Sequence, residues 1–171
     1  MHRTLFGSVY PWAGQDRLAL APDIAVGKAG HFDLFAHPRD IKRAVEYGLD
    51  LAHNSVAMRD RPGEVFGLLA YGHPVLEGNG RMLMTVHADL SRRAGFHVAW
   101  QHISKAAFLS ALTEKLRHPG GPLDRLLAPY VVAGPMPLAA TAARLSASAD
   151  LNAPGQLMAP PQPRSRSGSE M

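Results

Sequence analysis

The chain has 171 residues, 46% of them hydrophobic and 19% charged, with a formal charge of +4 and an isoelectric point of about 9.8. That is about one domain of ordinary globular composition, with no run of 18 apolar residues to span a membrane. The absence of cysteine excludes a disulfide scaffold, thiol catalysis and a thiolate zinc site, and the scattered cations form no stripe that would bind nucleic acid specifically.

The opening MHRTLFGSVYPWAG has no apolar run before a small-residue cleavage site, so it does not read as a secretory signal. Trp12 is expected to pack this start against the body. DIAVGKAGHFDLF, residues 23–35, sets Gly27 and Gly30 around Lys28 between short, partly alternating runs, which predicts a β-hairpin. An isolated hairpin is marginal unless it packs on something, so a lone one on a helical body suggests an edge used for pairing. IKRAVEYGLDLAHNS then predicts a helix, with Pro38 and Asp40 as start signals. Ile41, Val45 and Leu49 recur every four residues, with Ala44, Gly48 and Ala52 on the adjoining strip.

RPGEVFGLLAYGHP is apolar on nearly every side, as a central buried helix would be, and should end at His73, because the residue before a proline is pushed out of the helical region. The next helix, RMLMTVHADLSRRAG, carries Leu83, Val86, Leu90 and Ala94, with Gly95 placed to cap it; His87 reads as a surface or packing histidine. SKAAFLSALTEKLR begins with Ser104 as N-cap and turns Ala107, Phe108, Ala111 and Leu112 inward. A short helix in PLDRLLAPYVV closes a domain expected over residues 1–133. The rest, 134–171, is rich in Pro, Ala and Ser and reads as a mostly disordered tail.

The chemistry concentrates in residues 73–81, HPVLEGNGR. Gly78-Asn79-Gly80 lies between two predicted helices and opens into the second. First-turn N–H groups, with loop N–H groups freed by glycine, make an anion hole. Arg81 adds a fixed positive charge and a fork of donors. Glu77 at its mouth would repel an anion unless a divalent cation stands between, and magnesium suits such oxygen ligands. His73, neutral near pH 7, is a candidate base for a hydroxyl. The plain alternative is a solvated turn beside a core histidine. It is not a P-loop, since the Gly-Lys-Ser/Thr ending is missing, and the other histidines offer no zinc-binding pair.

This stretch resembles the signature of the Fic domain (Fic/DOC superfamily): HPF, two residues ending in Asp or Glu, then GNGR. Further blocks stand in the family's order: LFGSVYPWAGQDR at 5–17, KAGHFDLFAHPRDI at 28–41, RRAGFHVAW at 92–100 and the ending SKAAFLSAL…GPLDRLLAPYV. The resemblance covers about residues 2–132. It implies a mainly α, Fic-type helical bundle with a small β-hairpin flap, acting as a protein adenylyltransferase. ATP is the implied co-substrate, Mg2+ the cofactor, and a Ser, Thr or Tyr hydroxyl of a target protein the acceptor. On that resemblance His73 is the base and Glu77 the magnesium ligand. Gly78, Asn79, Gly80 and Arg81 hold the phosphates. The segment Lys28, Ala29, Gly30, His31 and Phe32 is the flap that docks the target by strand addition. Arg17 is a weaker candidate near the site. A cytoplasmic location is expected, with delivery into another cell compatible with it.

Three departures bear on activity. Val75 stands where the family has phenylalanine, and Met82 or Met84 is expected to fill the space. Met84 stands where a second arginine would meet the γ-phosphate, and on a helix it should share a face with Arg81. The start is also shorter than the family's. A weak or inactive Fic-fold interaction module, or an enzyme using another nucleotide or phosphate-containing donor, is the alternative. The family's inhibitory helix motif has no full match, so an inhibitor would be a separate protein.

Overall fold

In a computed structural model, residues 1–27, 34–118, 120–134 and 136 are described. Pro62 at the first position opens the central helix. Among the described residues eight α-helices are present: α1 (His2–Phe6), α2 (Arg17–Leu20), α3 (Ile41–His53), α4 (Ser55–Asp60), α5 (Pro62–Gly72), α6 (Asn79–Arg93), α7 (Lys105–Arg117) and α8 (Pro122–Leu127). The chain is mainly α with one small sheet, as expected. α5 is the axis, apolar all round as its sequence requires, and it packs on α3, α6, α7 and α8. Its first turn is capped from a distance: Asp124 Oδ1 on α8 accepts from the Gly63 and Glu64 N–H groups at 2.6 and 3.1 Å. Lys115 of α7 adds an ion pair to Glu64 at 2.6 Å.

α3 ends as the sequence suggests but buries the less obvious strip. Ile41, Ala44, Gly48 and Ala52 face inward, while Val45 and Leu49 sit only partly buried at the edge. Small residues let α3 and α5 approach closely: a Cβ on Gly48 would come within 3.2 Å of Leu68, and one on Gly72 within 2.8 Å of Val45. α7 likewise buries chiefly Phe108, with Ala107 exposed; its Ser104 cap is present, Oγ accepting from Ala107 N–H at 3.1 Å.

The sheet lies where no strand was expected. β1 (Phe96–Val98) pairs antiparallel with β2 (Val131–Ala133), Phe96 opposite Ala133 and Val98 opposite Val131. It joins the end of α6 to the end of α8. Within the expected 23–35 hairpin, residues 23–27 form no strand, and residues 28–33, which include Lys28, Ala29, Gly30, His31 and Phe32, lie outside the described residues. Among the described residues no helix is long and apolar enough to cross a membrane.

Candidate active site

α5 ends at Gly72, α6 begins at Asn79, and the six residues between them bring the nonapeptide to one end of the bundle. His73 caps α5 with φ 39° and ψ 59°, the one non-glycine residue of positive φ among the described residues. The residue before proline leaves the right-handed helical region, as expected, and does so into the left-handed region. The reason is Arg17. Its main-chain N–H donates to the Pro74 carbonyl at 2.8 Å, its Nε to that of His73 at 2.7 Å, and its Nη2 to that of Gly72 at 3.5 Å. Three successive carbonyls at the end of a helix, which have no partners within it, are thus held by one buried residue.

The His73 ring lies against Phe35, centroids 4.2 Å apart, and its Nδ1 is 3.2 Å from the Asn79 amide nitrogen. Asn79 is oriented by Val75: its Oδ1 accepts the Val75 N–H at 3.1 Å, and its Nδ2 donates to the Val75 carbonyl. The remaining N–H of Nδ2 therefore faces His73, making Nδ1 an acceptor and leaving the proton of the neutral ring on Nε2. Burial first, and the Arg17 guanidinium second, lower the His73 pKa to about 4, its main-chain hydrogen bond acting the other way. The imidazole is neutral at pH 7.

The loop itself rests on the first sixteen residues. Gly78 has φ 81°, and a Cβ there would stand 2.6 Å from the Phe6 ring, so both backbone angle and space require glycine. Phe6 also carries the Arg81 guanidinium, 5.0 Å from its centroid. His2 is buried beside it. Gly14 N–H donates to His2 Nδ1 at 2.9 Å, which places the ring proton on Nε2, and that donates to the Glu77 carbonyl at 2.9 Å. His2, Phe6, Tyr10 and Trp12 form a closed set of ring contacts. Trp12, expected to pack the start against the body, stacks on His2 and Tyr10 within the start itself; His2, which nothing in the sequence singled out, fixes the Glu77 backbone.

His73, Glu77, Gly78, Asn79, Gly80 and Arg81 are therefore brought together. Val75 is buried in one apolar cluster with Met82 and Met84, in keeping with methionine filling the space. Met84 is only 6% exposed, so it faces the core rather than a groove beside Arg81. His87 is fully buried, its Nε2 donating to the Pro62 carbonyl at 2.9 Å, and is a packing residue.

A helical bundle with a loop and helix start facing a neutral, clamped histidine is the class that fold and site define. No family model matches the chain. It is 33% identical over 122 residues to the protein adenylyltransferase VbhT of Bartonella schoenbuchensis, covering 67% of this chain and 24% of that one. It is 31% identical over 121 residues to the probable protein adenylyltransferase y4lH of Sinorhizobium fredii, covering 66% and 59%. The chain thus spans 24% and 59% of the length of these curated relatives. In fold it is similar to the VirB-translocated effector BepC of Bartonella tribocorum, solved with bound AMPPNP, with TM-score 0.63, 22% identity and coverage of 77% and 71%. The N-terminal Fic domain of a putative cell filamentation protein of Bartonella quintana gives TM-score 0.64, 22% identity and coverage of 86% and 73%. In fold the chain is therefore of the Fic type.

Proposed function

We propose that the chain transfers AMP from ATP to a Ser, Thr or Tyr hydroxyl of a target protein and releases pyrophosphate. The observation that carries this reading is a neutral histidine clamped beside a glycine-framed helix start. The relatives' description as protein adenylyltransferases supports it. Phosphates would lie at the Gly78–Arg81 helix start, where N–H groups and the end of the helix dipole favour anions, with the Arg81 charge beside them. The donor set also fits magnesium, which is commonly bound through one or two carboxylates plus substrate phosphates. Glu77 would be that carboxylate, its backbone held by His2. An ion held by Glu77 would supply positive charge against the phosphates and the departing pyrophosphate.

The hydroxyl oxygen of the target bonds to the α-phosphorus as the bond to pyrophosphate breaks, and the hydroxyl proton passes to His73 Nδ1. To accept it, Nδ1 gives up its contact with Asn79, at 3.2 Å the longest that this amide makes. Asn79 stays anchored by Val75, so the loop need not move. Proton transfer of this kind contributes about 10²–10⁴-fold, and positioning supplies more. Lys28–Phe32 would dock the target in an extended form, which asks little of its sequence.

Incubation with α-labelled ATP and Mg2+ in a bacterial extract should label protein bands, and His73→Ala should not. No labelling from ATP, GTP, UTP or CTP would reject the reading in favour of an interaction module.

A further inference from the structure

Arg17 does more than fill the core. It is wholly buried, yet among the described residues its hydrogen bonds go to main-chain carbonyls and none to a carboxylate. Besides the carbonyls of residues 72–74, its Nη2 donates to the Ala36 carbonyl at 2.8 Å. Ala36 N–H in turn donates to the Tyr71 carbonyl at 2.8 Å, so residue 36 is tied twice to the end of α5. In sequence, Ala36 stands four residues after Phe32.

We infer that Arg17 is the positioning residue of the His73 base, joining it to Ala36 ahead of α3. The inference rests on the transfer reaction proposed above. A neutral donor could satisfy one carbonyl, but bridging His73 to Ala36 needs the fixed fork of a guanidinium. One rigid group then sets where the base stands relative to residue 36. The remaining nitrogen, Nη1, is buried without a hydrogen-bond partner among the described residues, so the guanidinium's charge is only partly met by dipoles.

That charge favours a neutral base. His73 has two lowering influences, burial and then Arg17, and one raising influence, its own main-chain hydrogen bond. Its other ring neighbours, Phe35 and Asn79, carry no charge.

The test follows His73 directly by proton NMR of its imidazole, assigned by loss of the signal in His73→Ala, in the full chain and in Arg17→Gln and Arg17→Lys. In Arg17→Gln the titration midpoint should rise from about 4 toward the ordinary value without reaching it, because burial remains. Arg17→Lys keeps a cation but cannot bridge His73 to Ala36, so its midpoint should move less. Both variants should lose about a hundredfold in kcat for label transfer, the effect of misplacing a reacting group by about 1 Å, while ATP affinity stays unchanged. The titration needs no turnover, so a chain that transfers nothing still reports on Arg17. An unmoved midpoint in Arg17→Gln, a change in ATP affinity alone, or loss of folding in both variants would overturn the inference.

Discussion

His73 combines a left-handed backbone with a position before proline, two demands that ordinarily conflict. Sparsely populated backbone costs on the order of 1–3 kcal/mol and persists where surroundings over-determine it; the donors of Arg17 on residues 72–74 are those surroundings. Because the base must be neutral to accept a proton and its pKa is about 4, transfer should not fall as pH drops from 8 to 5.5. Label transfer measured across that range checks this, and a loss centred near 6.5 would mean the ring is more solvated than its packing shows. Met84 yields a second expectation at this scale. Arginine there would place a charge among apolar side chains, and an unpaired buried charge costs about 3–5 kcal/mol. Met84→Arg should therefore lower stability to urea by several kcal/mol, whereas Met84→Leu, which conserves volume, should cost less than about 1.5 kcal/mol.

The central helix shows how one element serves the site from its far end. Asp124 caps the start of α5 from another helix, and His73 stands at its finish. Asp124→Ala should destabilise by about 1–2 kcal/mol, the ordinary cost of a lost cap. Asp124→Asn, which keeps the accepting oxygen, should lose less. Chemical denaturation of both reads the difference; equal losses would assign the effect to packing. Elements were legible in the sequence wherever their cause was local. Pro62 and His73-Pro74 punctuate α5, Ser104 caps α7, and the site is one run of nine residues. Arg17 and His2 were not legible as its supports, since their partners lie 56 and 75 positions away. The strands are three residues each, too short for alternation to register. The sequence showed both apolar strips of α3 but not which lies deeper: close helix contact selects the small residues Ala44, Gly48 and Ala52, and leaves Val45 and Leu49 partly buried at the edge.

At the scale of the whole molecule, the most general property the site shares with the core is the burial of neutral imidazole. His87, on α6 beyond the Gly78–Arg81 turn, lies wholly inside with Phe66 and Trp100 edge-on to it, and burial lowers its pKa to about 4. His73 is displaced in the same direction. Between the unfolded value near 6.5 and the folded value near 4, the unfolded chain binds a proton at such a site and the folded chain does not, so stability falls as pH falls through that window. Above it the stabilisation is fully present, and below it nothing further is lost at that group. For His87 the span of about 2.5 pH units corresponds to roughly 3 kcal/mol, a large share of a small domain's stability. Urea unfolding at pH 7.0, 5.5 and 4.5 should show this decline. In His87→Gln the chain should be less stable at pH 7 but lose less on acidification, because the ionisable group is gone while an amide can still donate to the Pro62 carbonyl. If the variant loses as much between pH 7 and 4.5 as the parent chain, the acid sensitivity resides in other groups and the burial of His87 does not govern it.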